Sequence, residues 1–257
     1  MSFLIICSVA LLASALTFFS GFGLGTLLLP AFALFVPIEQ AIALTAVVHF
    51  LNGLFKLALV GRFADRRVLL RFGLPAIVFA VLGAWLLDQL SDLPVWYSYQ
   101  VGERTLQVTA IKLVIGILLI FFALFEWIPA LRKLSFPARL LPLGGALSGF
   151  FGGLSGMQGA LRSAFLLRAG LDKQAFIATG VVIACLIDVS RLGVYSNAIV
   201  AHSGSTDWAL LAAAVVSAFA GAWLGNRYLQ KMTLPGVQQV VALLLFCVAI
   251  GLISGWL

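Results

Sequence analysis

Apolar stretches long enough to cross a lipid bilayer follow one another along almost the whole chain, and they constrain its fold more than any other feature. A membrane-spanning helix needs about 20 mainly apolar residues. Six stretches meet this requirement: 39–60, 71–88, 107–126, 174–194, 208–226 and 236–256. Only 10% of the residues are charged, against about 25% in soluble domains. Because the apolar runs are continuous rather than alternating, they predict an all-α integral membrane protein and argue against a membrane β-barrel.

Two further apolar regions, 3–36 and 140–170, are too long for one span and contain glycine-rich breaks. The first region carries glycines at alternate positions in SGFGLG (20–25), and the second carries GGLSGMQG (152–159). Glycine destabilises the interior of a helix by roughly 0.5–1 kcal/mol relative to alanine. We therefore predict that each region forms a re-entrant hairpin, in which two short helical arms enter the membrane, turn and leave on the same side.

The distribution of basic residues supports this arrangement, because cytoplasmic loops of membrane proteins are enriched in lysine and arginine. With both hairpins re-entrant, eleven basic residues lie in loops on one side and only Arg104 lies on the other. A second hairpin that crossed the membrane once would reduce the split to seven against four or five. We therefore expect both termini on the periplasmic side. The net charge of +7 belongs to these short loops and does not indicate a nucleic-acid-binding surface.

The two halves of the chain resemble each other at an offset of 134 residues. Matching pairs include Gly25 with Gly159, Leu27 with Leu161, Gln40 with Gln174 and Thr45 with Thr179. Each half then holds one re-entrant hairpin and three spanning helices, and the odd number inverts the second half relative to the first. The sequence thus predicts two inverted repeats, 1–130 and 131–257, forming one transmembrane domain. Secondary transporters use this design, and channels can share it.

The helix breaks themselves indicate an anion site. The first N–H groups of a helix have no intrahelical partner and carry a partial positive charge, so a half-helix N-terminus binds anions. In an inverted pair the two N-termini face each other near the midplane. The candidate substrate-binding residues are the glycines, the neighbouring polar donors and one guanidinium: Gly21, Gly23, Gly25, Thr26, Ser155, Gly156, Gln158, Gly159 and Arg162. Tight helix packing is the alternative explanation of the glycines, and a cytoplasm-facing position is the alternative for Arg162.

Polar residues inside the spans suggest a pathway or a coupling site. Ionisable groups in membrane helices usually face the bundle interior. The candidates are His49, Asn52, Lys56, Asp188 and Arg191. The first three share one helix face with Thr45, and Asp188 and Arg191 can pair across three residues. Histidine ordinarily has a pKa of about 6.5, so His49 is a candidate to carry or sense a proton. A neutral structural histidine and a snorkelling Lys56 are the alternatives.

No catalytic constellation, nucleotide-binding loop or metal-ligand spacing occurs in the sequence. Cys7, Cys185 and Cys247 lie in apolar runs, where cysteine behaves as a small buried hydrophobe. We therefore predict no enzymatic activity, no cofactor and no metal site, and no transport driven by ATP within this chain. A membrane-embedded enzyme that uses His49 with an acid from another helix is the alternative of a different class.

The segments SGFGLGTLLLP (20–30), SGFFGGLSGMQGALRSAFLLRAGLDKQAFIATG (148–180) and HFLNGLFK (49–56) resemble the TauE/SafE family of sulfite-exporter-like permeases. In the first half the family's glycine triplet is loosened to alternating glycines. The resemblance implies a transporter of sulfite, sulfonates or related sulfur-containing anions in the bacterial inner membrane. We thus predict transport of sulfite or an organosulfonate linked to the proton motive force. An anion channel of the same architecture, an accessory protein of sulfur metabolism and assembly as a homodimer remain open.

Overall fold

The computed structural model describes residues 1–16, 23–201, 204, 206–228 and 235–257, and these form a bundle of α-helices. The helices are α1 (Ser2–Leu16), α2 (Leu24–Ala33), α3 (Ile38–Val60), α4 (Arg66–Val68), α5 (Leu74–Ser91), α6 (Ala110–Trp127), α7 (Pro129–Arg132), α8 (Leu141–Ser155), α9 (Gly159–Leu166), α10 (Lys173–Ala201), α11 (Trp208–Tyr228) and α12 (Pro235–Ile253). A π-helical turn, Leu69–Gly73, joins α4 to α5, and short 3-10 turns cover Gly61–Phe63 and Ala138–Leu140.

Polar side chains fix the starts of four helices by capping their free N–H groups. In each case a side-chain oxygen accepts a hydrogen bond from the backbone N–H three residues later. The capping residues are Asp65, Thr109, Asp172 and Asp207, which precede α4, α6, α10 and α11. A cap of this kind contributes about 1 kcal/mol. The apolar runs therefore become helices with defined ends.

Five helical segments of the described part are long and apolar enough to cross a membrane. They are Ile38–Phe63, Arg66–Ser91, Ala110–Trp127, Lys173–Ser196 and Trp208–Arg227. These segments correspond to the first five predicted spans. The sixth predicted span coincides with α12, whose described apolar part, Val241–Ile253, is shorter. Large side chains such as Trp85, Val216 and Trp223 are exposed on the outer faces of the bundle, where lipid would cover them. The prediction of an all-α membrane protein is confirmed.

Helix breaks occur at both predicted places. In the first region the break includes Gly23, which directly precedes α2 and has a φ of 118°. The second break separates α8 from α9 at Gly156, which has a φ of 80°. Glycine adopts such left-handed backbone conformations without the steric cost that a Cβ brings. Residues 17–22, which include the candidate Gly21, lie outside the described part of the chain.

A β-hairpin between α5 and α6 departs from the sequence prediction. Its strands are β1 (Tyr97–Val101) and β2 (Arg104–Val108), which pair antiparallel. Residues 107 and 108 were predicted to open a membrane span, but they end β2, and α6 begins only after the Thr109 cap. The Tyr99 hydroxyl donates a hydrogen bond to the Ser254 carbonyl at 2.5 Å. This hairpin therefore closes over the C-terminal end of α12.

The helices of the two halves pack in corresponding ways. The predicted repeats pair α1, α2, α3, α5 and α6 with α8, α9, α10, α11 and α12. In the structure α5 packs along α8 and α11 packs along α1, while α3 contacts α10 and α6 contacts α12. Replacing each helix by its predicted counterpart in the other half turns the α5–α8 pair into the α11–α1 pair. The same replacement turns α3–α10 and α6–α12 into themselves. The packing thus has the exchange symmetry that a duplicated chain would show.

Two rows of glycines, called the glycine seams below, bring α8 into backbone contact with α5 and α11 into backbone contact with α1. A Cβ added to Gly145, Gly149 or Gly153 of α8 would lie 2.1–2.2 Å from a carbonyl oxygen of the α4–α5 segment. Likewise, a Cβ on Gly221 of α11 would lie 2.1 Å from the Leu11 carbonyl of α1. Small residues allow this close approach of membrane helices. The packing explanation therefore holds for these seam glycines, which are distinct from the glycines at the breaks.

Candidate functional site

The two helix breaks meet inside the bundle. Gly25, in the first turn of α2, lies against the second break, because a Cβ placed on it would be 3.2 Å from the Gly156 carbonyl oxygen. The same Cβ would be 3.7 Å from Cδ2 of His49 on α3. The start of α2, the break before α9 and the His49 ring therefore surround one point.

A carboxylate at the centre of the bundle holds three elements together. Asp188 of α10 is fully buried, and its Oδ2 lies 2.5 Å from Nδ1 of His49. Its Oδ1 accepts hydrogen bonds from Nε of Arg191 at 3.0 Å and from the Gln158 side-chain amide at 3.4 Å. Buried charges are normally paired or hydrogen-bonded in this way. Asp188 thus links α3, the second helix break and its own helix.

Arg191 directs an unused donor at the second break. A Cβ on Gly156 would lie 2.6 Å from NH1 of Arg191, so the guanidinium sits directly against the break. Arg191 has no solvent exposure, and NH1 has no hydrogen-bond partner among the described residues. An unsatisfied buried donor costs about 1–3 kcal/mol, and more when it is charged. A buried charged donor in this position is of the kind that binds the oxygens of an anion.

Arg162 belongs to the same network but occupies a different place. Its NH1 donates to Oε1 of Gln158 at 2.9 Å, and the whole side chain is buried. The Ser148 hydroxyl donates to the Gln158 backbone carbonyl at 3.0 Å, which fixes the residue directly before α9. Arg162 therefore faces the interior rather than the cytoplasm. The guanidinium that lies against Gly156 is Arg191, which the sequence analysis placed among the pathway candidates, with Arg162 among the substrate-binding candidates.

The hydroxyl protons of Thr26 and Ser155 are used by the backbone. Thr26 donates to the Gly23 carbonyl at 2.9 Å, and Ser155 donates to the Phe151 carbonyl at 2.9 Å. Both hydroxyls therefore stabilise the chain around the breaks instead of offering a proton to a ligand. The remaining donors at the site are the N–H groups of the first turns of α2 and α9, which begin at Leu24 and Gly159, together with Arg191.

The polar face of α3 has two further members. Asn52 is buried, and its Oδ1 accepts a hydrogen bond from the Ser14 hydroxyl of α1 at 3.2 Å. Lys56 is also buried, with the Arg162 guanidinium and the Cys185 thiol as electrostatic neighbours. It therefore does not reach the surface, as snorkelling would require. Cys185 packs against Gly53, where a Cβ would lie 2.9 Å from its Sγ.

Tyr195 is a site residue that the sequence analysis missed. It lies one helical turn after Arg191, its hydroxyl donates to the Gly153 carbonyl of α8, and it interacts with the Arg191 side chain. It therefore connects the guanidinium to the helix that ends at the break. Its position four residues after Arg191 on α10 was the signal available in the sequence, since such pairs share a helix face.

A family model described as the sulfite exporter TauE/SafE matches residues 6–252. The chain belongs to the TauE/SafE family. No curated protein and no solved structure gave a match in the same comparisons. Membership makes this TauE/SafE protein a membrane transporter rather than an enzyme, in a family named for sulfite export. The helix breaks of this TauE/SafE protein and the buried polar network between them lie within the matched residues.

The described part of this TauE/SafE protein holds no group of three or more histidine, cysteine, aspartate or glutamate residues that could bind a metal ion. The candidate residues instead supply N–H donors and positive charge. Such groups bind oxyanions without a metal, because backbone amides and guanidinium groups match the geometry of the oxygens.

Proposed function

We propose that this protein is a secondary transporter that carries sulfite or an organosulfonate through the site between the two helix breaks. The observation that carries the proposal is the buried Arg191 guanidinium, whose NH1 has no partner among the described residues and lies against Gly156. Arginine offers a fork of donors that suits paired oxygens, such as those of a sulfite or sulfonate group. The first turns of α2 and α9 add free backbone N–H groups and the positive ends of two helix dipoles.

Two inverted repeats, 1–130 and 131–257, provide the framework that we infer for this transporter. The exchange symmetry of the helix packing supports this division, since α5 with α8 corresponds to α11 with α1. Transporters built in this way place their substrate near the midplane, between the two repeats and at broken helices. The candidate site of this chain lies at both breaks together, which agrees with that placement.

We expect Arg191→Lys to weaken sulfite binding by about 1.5–3 kcal/mol, the range for hydrogen bonds to charged groups. Lysine keeps the positive charge but loses the fork of donors. Gly156→Ala should abolish binding, because the added Cβ would lie 2.6 Å from Arg191 NH1 at a residue with a φ of 80°. Calorimetric titration of detergent-purified protein with sulfite measures both effects.

Matched controls separate the site from general effects of substitution. Gly170 has a φ of 77° and open space around it, so Gly170→Ala brings similar backbone strain without filling the site. Arg104→Lys makes the same chemical change in the exposed hairpin. Both controls should bind sulfite normally. A folded Gly156→Ala protein with full affinity would show that the break is not the binding site.

Proton coupling is proposed to act through His49. A carboxylate can only accept hydrogen bonds, so the contact with Asp188 places a proton on Nδ1 and leaves Nε2 for exchange. We expect His49→Gln to remove the pH dependence of sulfite uptake into proteoliposomes while binding persists, because an amide can still donate to Asp188 but cannot titrate. His202→Gln, which alters the only other histidine of the chain, is the control. An unchanged pH profile in His49→Gln would reject this coupling mechanism.

The proposed location is the bacterial inner membrane, with both termini in the periplasm. Eleven basic residues then lie in cytoplasmic loops and one lies outside. In a variant without its own cysteines, a single cysteine at Lys133 should resist an impermeant thiol reagent in intact cells. A cysteine at Glu103, in the β1–β2 turn, should react. Labelling at position 133 without labelling at position 103 would show that the protein has the opposite orientation, with both termini in the cytoplasm.

A further inference from the structure

The β1–β2 hairpin has one apolar and one polar face. Successive side chains of a strand point to opposite faces of a sheet, and residues directly opposite each other in an antiparallel pair share a face. The apolar face of the hairpin carries Tyr97, Tyr99 and Val101 of β1 and, opposite them, Val108, Leu106 and Arg104 of β2. The polar face carries Ser98, Gln100, Thr105 and Gln107. Arg104, next to the turn, is the one charged member of the two faces.

The helix bundle covers only part of the apolar face. Leu106 and Val108 of β2 are buried, and the Tyr99 hydroxyl contacts the chain just after α12. Tyr97 and Val101 of β1 belong to the same face, yet 65% and 45% of their surfaces are exposed. β2 therefore lies on the end of the bundle, while β1 extends past its edge. These two exposed residues form the overhang of the hairpin.

An apolar surface runs from the outer side of α5 to the overhang. Trp85 is exposed on α5, and Leu93, Val95 and Trp96 are exposed in the segment that leads into β1. Because the apolar face is turned toward the helices, its uncovered part is turned toward the membrane that surrounds them. The overhang therefore continues the surface of the bundle that lipid covers.

We propose that the overhang binds the phospholipid leaflet on its side of the membrane, with Tyr97 at the level of the headgroups. Tyrosine and tryptophan are enriched at membrane interfaces, because one end of the ring is apolar and the other is polar. Arg104 lies directly opposite Val101, and its guanidinium suits the paired oxygens of a lipid phosphate. The polar face, with Ser98 and Gln100, is turned to water. The hairpin is thus an interfacial anchor that ties the end of α12 to the bilayer surface.

Photocrosslinking of the full-length protein in proteoliposomes tests this proposal. The photoreactive residue p-benzoylphenylalanine is placed at Tyr97 or Val101 of the apolar face. The matched controls carry it at Ser98 or Gln100, the neighbours on the polar face. The vesicles contain phosphatidylcholine and phosphatidylglycerol. After irradiation, we expect intact-protein mass spectra to show a phospholipid adduct at positions 97 and 101, and loss of that adduct at positions 98 and 100.

The other outcomes of the crosslinking overturn the proposal. Val216, which is exposed on α11, is the positive control for a lipid adduct. An adduct at position 216 without one at position 97 would place the overhang in water. A covalent dimer through position 97 would assign the overhang to contact between two copies of the chain, and equal adducts on both faces would remove the distinction between them. If the variant at position 97 does not fold, position 101 and its control decide.

The depth of the overhang gives a second measurement. In a variant without its own cysteines, a fluorophore on Tyr97→Cys should be quenched more by lipids that carry a nitroxide on the headgroup than by lipids that carry it at the end of an acyl chain. Val216→Cys, near the middle of α11, should show the reverse order, and a fluorophore on Ser98→Cys should be quenched less than one on Tyr97→Cys. Emission from Tyr97→Cys that neither lipid quenches would contradict the proposal.

Discussion

Asp188→Asn should lower the free energy of unfolding by about 3–5 kcal/mol, the range observed when one partner of a buried ion pair is removed. The substitution preserves the size of the side chain but removes the one negative charge of the site. Arg191 and His49 then lose the carboxylate that both of them contact. Unfolding in detergent, followed by intrinsic fluorescence against temperature or denaturant, measures this loss.

The same helix provides a matched control for this prediction. Asp172 caps the start of α10 from an exposed position, where it accepts a hydrogen bond from the Ala175 N–H. Asparagine caps helices about as well as aspartate, so Asp172→Asn should be nearly neutral. Added sulfite should restore part of the stability of Asp188→Asn, because a ligand that binds only the folded state stabilises it. Equal stability of the two variants would show that the charge of Asp188 contributes little to the stability of the fold.

Gly149→Ala should prevent α5 and α8 from packing, although it adds only one carbon atom. The new Cβ would lie 2.2 Å from the Ala76 carbonyl oxygen, so two backbones would have to separate. Overpacking a core usually costs about 1–3 kcal/mol, and this cost should be exceeded because neither backbone can rotate away. We expect little folded protein in detergent, as judged by size-exclusion chromatography of a fluorescent fusion.

Gly193→Ala is the control for this loss of packing. It makes the same change in α10, where no atom of the described residues outside the local helix backbone lies within 4 Å of the added Cβ. It should be neutral or stabilise the helix by roughly 0.5–1 kcal/mol, the usual difference between alanine and glycine in a helix interior. A well-folded Gly149→Ala protein would mean that the seam tolerates separation of its helices.

The sequence predicted the features that local patterns control. Apolar length located the spans, and the glycine-rich segments located both breaks. The three-residue spacing of Asp188 and Arg191 was enough to predict their contact. Each of these depends on residues near one another in the chain, where the geometry of the helix determines which side chains can meet.

Other features depend on contacts between distant segments. The contact between His49 and Asp188 joins residues 139 positions apart, and the choice between Arg162 and Arg191 at the break depends on how α10 packs. Gly149 and Gly156 lie in one glycine-rich stretch, yet one belongs to a seam and the other to a break. Composition alone does not separate these two uses. The β-hairpin was missed because its second strand leads directly into the apolar run of α6, with only Thr109 between them.

The glycine seams have a consequence for how such a transporter can move. Each seam joins the first helix of one predicted hairpin to a helix of the other predicted repeat: α1 with α11, and α8 with α5. Helices in backbone contact cannot slide past each other, so each pair should move as one rigid body. For the proposed transport cycle we therefore expect these mixed pairs, and not the two halves of the sequence, to be the moving bodies. We expect Gly23 and Gly156, whose backbones have positive φ, to be the hinges between each first arm and its second arm.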